Sequence, residues 1–276
     1  MPELPEVETV RRQLDRAIRG AMVKEVVVRF GDRLQPSPAR FKRLMRGRTV
    51  ISVERRAKLL RLRLSGGWNL FVHLKMTGRL LLKRSGSIPT KHTHLVFRLS
   101  GRRELHWEDV RKFGYMKALP DAQAETWLAG QDFGPEPLRT GFTWRSFAMC
   151  LRNHPKAQIK PLLLRQDCIA GIGNIYATEA LWSARIHPLR RVERLSDKDL
   201  RRLHRAVTSV LRRAVKAGGT SADDYLDIFG EEGGFVPQLK VYGREGRKCR
   251  RCRGLLRKMR IGGRGTVICP TCQKKG

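Results

Sequence analysis

The first eighteen residues, MPELPEVETVRRQLDRAI, carry Val7, Val10, Leu14, Ala17 and Ile18 at intervals that fall on one face of a helix, with charged residues between them. The pattern predicts a helix over residues 2–19. Pro2 suits its first position, where a missing N–H costs nothing, and Gly20 stops it. The period then shortens. Runs at 25–30, 49–54, 59–64, 69–74, 79–83, 94–99 and 104–107 read as strands, with Ser65-Gly66-Gly67 and Ser100-Gly101 as turns between them. Many short strands of this kind predict a sandwich or barrel. At Gly134-Pro135-Glu136-Pro137, a linker by composition, the pattern becomes helical. The clearest helix takes Ser196 as N-cap, carries Leu200, Leu203, Val207, Val210, Leu211 and Ala214 on one face, and stops at Gly218-Gly219. Residues 220–238 read as a loop rich in glycine and acid, and the rest as a short basic tail bearing cysteines. The expected division is 1–133, 134–238 and 239–276, without internal repeats.

Composition sharpens this picture. A chain of 276 residues, 41% of them hydrophobic, has material for ordinary cores and more than one domain. No apolar run approaches the ~20 residues of a membrane span, and the acidic start is unlike a signal peptide. A soluble cytosolic protein, associated with the nucleoid in a bacterium, is expected. The charge is the outlying property: 58 Lys and Arg against 25 Asp and Glu, a formal net charge of +33. Solubility needs far less, and such a surface binds polyanions. Nucleic acid is the expected partner, bound with an affinity that falls steeply with salt.

The tail reads KCRRCRGLLRKMRIGGRGTVICPTCQ. Cys249 and Cys252 make one CxxC and Cys269 and Cys272 another, with sixteen residues between the pairs. The spacing is that of a four-thiolate zinc site. Two disulfides are the alternative, which a cytosolic location disfavours. With all four positions taken by protein, the zinc is structural and staples a hairpin too small to fold alone. The arginines between the pairs, with Arg264 beside a glycine-rich tip, mark it as a DNA-contacting finger. Cys150 and Cys168 stand outside this scheme and are expected as unpaired thiols.

The N-terminus poses a different problem. Glutamates in a first turn ordinarily complement the helix dipole. On the helical wheel, however, Glu3 falls within the apolar stripe and Glu8 points away. A carboxylate held against the protein body tends toward a raised pKa and proton-transfer work. Met1 precedes a small residue, so its removal is expected. The secondary amine of Pro2 would then be the chain terminus, with a pKa near ~7.7–8.0 that the helix dipole lowers. A neutral amine attacks an aldehyde carbon to form a Schiff base, and a proline gives an iminium that stays charged.

MPELPEVETV, the cysteine pattern and LLLRQDCIAGIGNIYATEAL together resemble the formamidopyrimidine-DNA glycosylase family of base-excision repair, over essentially the whole chain. The resemblance implies an α+β multidomain fold: an N-terminal helix on a β-sandwich, a helix–two-turn–helix domain, and a four-cysteine zinc finger. It implies a bifunctional glycosylase and abasic-site lyase acting on duplex DNA, which flips an oxidised purine out of the helix. Pro2 matches the nucleophile and Glu3 the acid that opens the sugar ring, with Glu6 near the same pocket. Lys58, in RRAKLL, matches the proton donor for β-elimination, and Arg264 the residue assigned to δ-elimination. Met76, in HLKMTGRL, matches the residue that fills the vacated space. Arg111 and Phe113, in WEDVRKFG, match those that pair with the orphan cytosine and wedge the stack. Asn174, Lys160 and His92 match DNA-contact positions. The family implies one structural zinc, no redox or nucleotide cofactor, and a monomer.

Three departures stand out. Lys75 occupies a position where the family often has glycine. Pro155 stands where many relatives are basic, with Lys156 expected to take over the contact. IFGEEGGF replaces a lysine-glycine-rich turn in the expected lesion-recognition loop, so Glu231 and Glu232 are expected to alter lesion preference or loop mobility. Two other readings stay open: a specificity like that of endonuclease VIII relatives, and a zinc-ribbon DNA-binding protein without catalysis. Pro2, Glu3 and Lys58 together disfavour the last.

Overall fold

In the computed structural model, which describes residues 1–222 and 224–275, helix α1 runs from Leu4 to Ile18. It starts two residues later than its apolar stripe suggests. Glu3 is the N-cap, in extended conformation, and the Glu6 carboxylate accepts a hydrogen bond from the Glu3 N–H at 2.8 Å. That bond satisfies an otherwise orphaned donor at the helix start and leaves Pro2 outside the helix. Pro5 takes the early helical position expected for Pro2. Val7, Val10, Leu14 and Ile18 are buried as the stripe requires.

Two sheets follow. One takes the order β1 (Val23–Val28), β7 (Thr93–Leu99), β8 (Arg103–Asp109), β6 (Gly78–Arg84), all antiparallel. The other takes β2 (Leu34–Gln35), β9 (Tyr115–Pro120), β5 (Trp68–His73), β4 (Leu59–Leu64), β3 (Val50–Arg56), antiparallel except for the β2–β9 pair. Val26, Leu80, Leu95 and Phe97 of the first sheet share one core with Val53, Leu60, Leu70 and Val72 of the second and with the α1 stripe. The seven predicted strands are all present, within a few residues at their ends. Strands β2 and β9 and helices α2 (Pro38–Met45) and α3 (Asp121–Ala129) were not among the expected elements, although α2 places Phe41 and Met45 on one buried face. YMKALP buries Met116 and Ala118 alternately, but with Lys117 as its one polar residue it shows little contrast in the sequence and ends in proline.

The described chain forms two compact units, Met1–Gln131 with Ala217–Gly234, and Asp132–Lys216 with Phe235–Gly276. Residues 217–234 therefore fold with the sandwich: Tyr225 and Ile228 lie in its core, and Leu82 N–H donates to the Ile228 carbonyl at 2.7 Å. The second unit holds α4 (Trp144–Arg152), α5 (Ile159–Leu163), α6 (Asn174–Ser183), α7 (Asp197–Lys216) and a hairpin of β10 (Arg257–Ile261) with β11 (Arg264–Ile268). Ser196 and Asp199 cap α7 reciprocally, each accepting the other's backbone N–H at 3.2 Å. Gly134 is packed within this unit, where a Cβ would collide with the Asp167 and Cys168 carbonyls.

Cys150 and Cys168, expected as unpaired thiols, are joined as a disulfide. They stand 18 positions apart in the chain, but the end of α4 and the turn before α6 bring their Cα atoms to 5.6 Å. Only the folding back of the helices creates that pairing.

Candidate functional site

Pro2 and Glu3 are both buried, Glu3 to 2% exposure, at the positive end of α1. The burial agrees with the wheel argument. Glu6 faces two ways: one carboxylate oxygen accepts from Glu3 N–H, and the other accepts from Thr220 N–H at 2.8 Å. Gly219 makes this approach possible. It sits at φ +93°, and a Cβ there would meet the Glu6 carboxylate oxygen at 3.0 Å. Glu6 is thus the clamp between the start of α1 and the segment returning after α7.

Lys58 is 7% exposed, in the two-residue turn Ala57-Lys58 between β3 and β4. Ala57 takes the left-handed conformation the turn needs, at φ 53°. Arg55 holds the turn by donating to the Ala57 carbonyl at 2.8 Å, and it donates to Glu8 at 3.0 Å. Glu8 does not point freely into solvent as the wheel suggested. Burial pushes its pKa up, but hydrogen bonds and charge from Arg11, Arg55 and Arg12 outweigh this and hold it at about 2. The chain Glu8–Arg55–Ala57 connects α1 to the turn that carries Lys58.

His73, at the end of β5, has no sequence signal beyond its place in a strand. Burial, with the charges of Lys75 and Lys58, lowers its pKa to about 3. Its Nδ1 accepts from Lys75 N–H at 3.0 Å, so the neutral ring keeps its proton on Nε2. A half-buried neutral donor beside two lysines suits an anionic oxygen. Met76 and Phe113 are exposed apolar side chains, at 38% and 47%, and the Arg111 guanidinium lies over the Phe113 ring at 5.1 Å. Lys75 lies over Tyr115 at 5.5 Å. His92 is half-buried.

In the second unit, Asn174 opens α6, and its side-chain N–H donates to the Gly265 carbonyl of β11 at 3.1 Å. Lys160 does not present its charge at the surface. It is 0% exposed, and its ammonium donates to Asn174 Oδ1 at 2.6 Å and Thr266 Oγ1 at 2.5 Å. Here it braces Asn174 and the hairpin, whereas Lys156 is exposed. Arg264 is exposed beside the Gly262-Gly263 turn, whose φ values of 53° and 74° favour glycine. The Sγ atoms of Cys249, Cys252, Cys269 and Cys272 all lie within 4.8 Å of one another. A tetrahedral zinc with ~2.3 Å bonds needs sulfurs about 3.8 Å apart, so the four fit the ion with little movement. Burial pushes Cys269 up to about 12; at Cys249 it acts the same way but is outweighed by the Cys252 and Arg251 N–H groups, which draw that thiol down to about 6. Zinc uptake would therefore release protons. Glu179 anchors the finger to α6 by accepting the N–H groups of Lys240, Val241 and Tyr242; burial raises its pKa against those bonds.

Comparison with known proteins matches this architecture along the chain. The formamidopyrimidine-DNA glycosylase N-terminal domain matches residues 1–116, its H2TH domain residues 133–225, and the zinc finger found in FPG and IleRS residues 246–275. The chain is 41% identical over 275 residues to the formamidopyrimidine-DNA glycosylase of Pelotomaculum thermopropionicum, covering 99% of each. It is 41% identical over 276 residues to that of Enterococcus faecalis, covering 99% of this chain and 98% of the other. A complex between Lactococcus lactis Fpg and abasic-site DNA superposes with a TM-score of 0.93, at 35% identity, over 99% of this chain and 100% of the other. A Lactococcus lactis Fpg mutant bound to Fapy-dG DNA gives 0.94 at the same identity and coverage. Fold and modules define a zinc-finger DNA glycosylase of base-excision repair. The chain belongs to the formamidopyrimidine-DNA glycosylase family, which carries both glycosylase and abasic-site lyase activity. Among the described residues no helix is long and apolar enough to cross a membrane.

Proposed function

We propose that this protein excises oxidised purines, 8-oxoguanine and formamidopyrimidines, from duplex DNA and then cuts the abasic strand on both sides. With Met1 removed, the Pro2 amine attacks C1′ of the flipped nucleotide, the C1′–N bond breaks, and the base leaves with its electron pair. Glu3 protonates the ring oxygen as the sugar opens, leaving an iminium between Pro2 and C1′. Loss of a C2′ proton expels the 3′ phosphate, with Lys58 in the proton transfer, and the second elimination expels the 5′ phosphate with Arg264. Water then releases the amine. Met76, Arg111 and Phe113 fill the duplex and pair with the orphan cytosine. Asn174, His92 and Lys156 hold the backbone, and Lys160 supports Asn174 from below. One zinc on Cys249, Cys252, Cys269 and Cys272 holds the finger and takes no part in the chemistry. Segments 1–133, 134–238 and 239–276 supply catalysis, DNA binding with lesion recognition, and the finger. The protein acts as a monomer in the bacterial cytoplasm.

The observation that carries this reading is the start of α1. A proline directly precedes a buried glutamate N-cap, at the positive end of a helix, in a chain whose other charge is overwhelmingly basic. Borohydride trapping tests it, on a duplex holding 8-oxoguanine opposite cytosine, with mass mapping of the cross-linked peptide. An adduct on Pro2 is expected. Absence of any adduct, from protein whose intact mass lacks Met1, would overturn the mechanism for this lesion. A panel of oxidised pyrimidines in the same assay reads how Glu231 and Glu232 affect preference.

A further inference from the structure

Met76, Arg111 and Phe113 come from two separate loops, yet to act on one base-pair gap they must hold a common geometry. The side chains themselves are exposed, and neither loop carries a core residue at its tip. What the loops share is Asp109, the last residue of β8, which is 1% exposed. One carboxylate oxygen accepts the Thr77 hydroxyl and the Arg111 N–H, the latter at 3.3 Å. The other accepts the Gly114 N–H at 2.7 Å. Thr77 follows Met76 directly, and its oxygen also accepts from Arg111 N–H at 3.0 Å. The main chain of Asp109 is held as firmly. Its N–H donates to the His92 carbonyl at 3.1 Å, and its carbonyl bonds His94 Nε2 at 2.8 Å.

Both loops are bent in ways that need such a tie. Lys75 and Lys112 take left-handed conformations at φ 53° and 57°. Gly78 closes the first loop onto the Leu74 carbonyl, where a Cβ would collide. Gly114 closes the second beneath Trp107, where a Cβ would meet the Asp109 carboxylate at 3.0 Å and the His73 carbonyl at 3.1 Å. Left-handed residues other than glycine persist only where surrounding bonds determine them.

We propose that Asp109 is the positioning residue of the DNA wedge: a single buried carboxylate that sets Met76, Arg111 and Phe113 in register with one another before DNA arrives. The inference rests on the proposed roles of those three residues. It assigns to Asp109 no contact with DNA and no part in the chemistry. Preorganisation of this kind matters because a loosely held wedge loses part of its binding energy to ordering its own loops.

Asp109→Asn keeps size and shape but puts an amide donor against the Thr77 hydroxyl and Arg111 N–H or against the Gly114 N–H. An unmade hydrogen bond to a charged group corresponds to roughly a tenfold change or more. Excision of 8-oxoguanine opposite cytosine should fall about tenfold, and the preference for cytosine over adenine opposite the lesion should shrink by a similar factor. Nicking of single-stranded abasic DNA, which has no partner strand to wedge, should fall much less, by under about threefold. Insertion is read directly by 2-aminopurine fluorescence beside the lesion, which should rise more slowly in the variant. Thr77→Val frees the Met76 loop from Asp109 and removes one of the two acceptors of Arg111 N–H, while Asp109 still holds Arg111 and Gly114; it should slow insertion with less effect on opposite-base preference, and serves if Asp109→Asn does not fold. Folding is checked by thermal melting.

A folded Asp109→Asn protein with parental insertion kinetics and parental preference overturns the proposal, as does an equal loss on single-stranded and duplex DNA. Arg111→Ala is run in parallel. If it leaves opposite-base preference intact, the role given to Arg111 fails. The positioning role of Asp109 is then judged on the insertion signal, which depends on Met76 and Phe113.

Discussion

Glu8 and His73 are shifted by burial and by charged neighbours, and both tie stability to pH. Glu8 ionises near 2 in the fold, against an ordinary value of 4.5. Its contribution is full above 4.5 and is lost as pH falls from there toward 2, where the folded carboxylate also takes a proton. Glu8→Gln should cost about 2 kcal/mol at neutral pH, and the difference from the parent should narrow steadily below pH 4.5. Urea unfolding at pH 7 and pH 3 checks this; a constant difference would show that packing and not charge is responsible. His73 acts in a higher window. The unfolded ring takes its proton near 6.5 and the folded one near 3, so acidification through that range also destabilises the fold. Both residues were within reach of sequence patterning only as members of a helix and a strand. Their partners, Arg55 in one case and Lys58 and Lys75 in the other, are assembled by the β3–β4 turn and the end of β5.

The elements divide by how much of their stability is local. Helix α7, with a complete apolar face and a reciprocal cap, was read from sequence almost to the residue. The β10–β11 hairpin is the opposite case. Two five-residue strands joined by Gly262-Gly263 are marginal alone. The small core of Trp182, Val241, Leu256 and Val267 includes two of the cysteines themselves. Cys272→Ser should reduce bound zinc from one per chain to none by plasma mass spectrometry. It should also shift abasic-strand products from doubly cut toward singly cut as Arg264 loses its support. Full zinc in that variant would refute the four-thiolate site. The cysteine spacing anticipated the clustering of the four thiols directly, whereas the burial of Lys160 beneath Asn174 and Thr266 was invisible, because a lysine in a short helix ordinarily reaches water.

For the whole molecule, charge dominates the approach to DNA. A net +33 implies that phosphate neutralisation and counterion release carry much of the binding. If six to ten phosphates are engaged, affinity for an undamaged duplex should drop on the order of a thousandfold between 50 and 200 mM salt. Fluorescence anisotropy across that range gives the slope, and a flat response would remove the electrostatic account. The charge is counted in the sequence; the fold decides which groups are left to use it. Arg55 and Lys160 are turned inward as braces, while Arg111, Lys156 and Arg264 remain exposed.

By itself the sequence determined what depends on neighbours along the chain: the apolar stripes of α1 and α7, the seven strands, the paired CxxC spacing, and the Pro2-Glu3 start whose resemblance pointed to the family. Periodicity and fixed spacing are local properties, and they survive without coordinates. The tertiary structure alone decided what depends on distant segments meeting. It starts α1 at Leu4, because Glu6 reaches back to Glu3 N–H, and it bonds Glu6 to Thr220 across more than two hundred residues. It joins Cys150 to Cys168, folds 217–234 into the sandwich, and gathers two loops onto Asp109. Those pairings satisfy buried polar groups, and a buried donor takes whichever acceptor the folded chain brings within reach, however far away it lies in sequence.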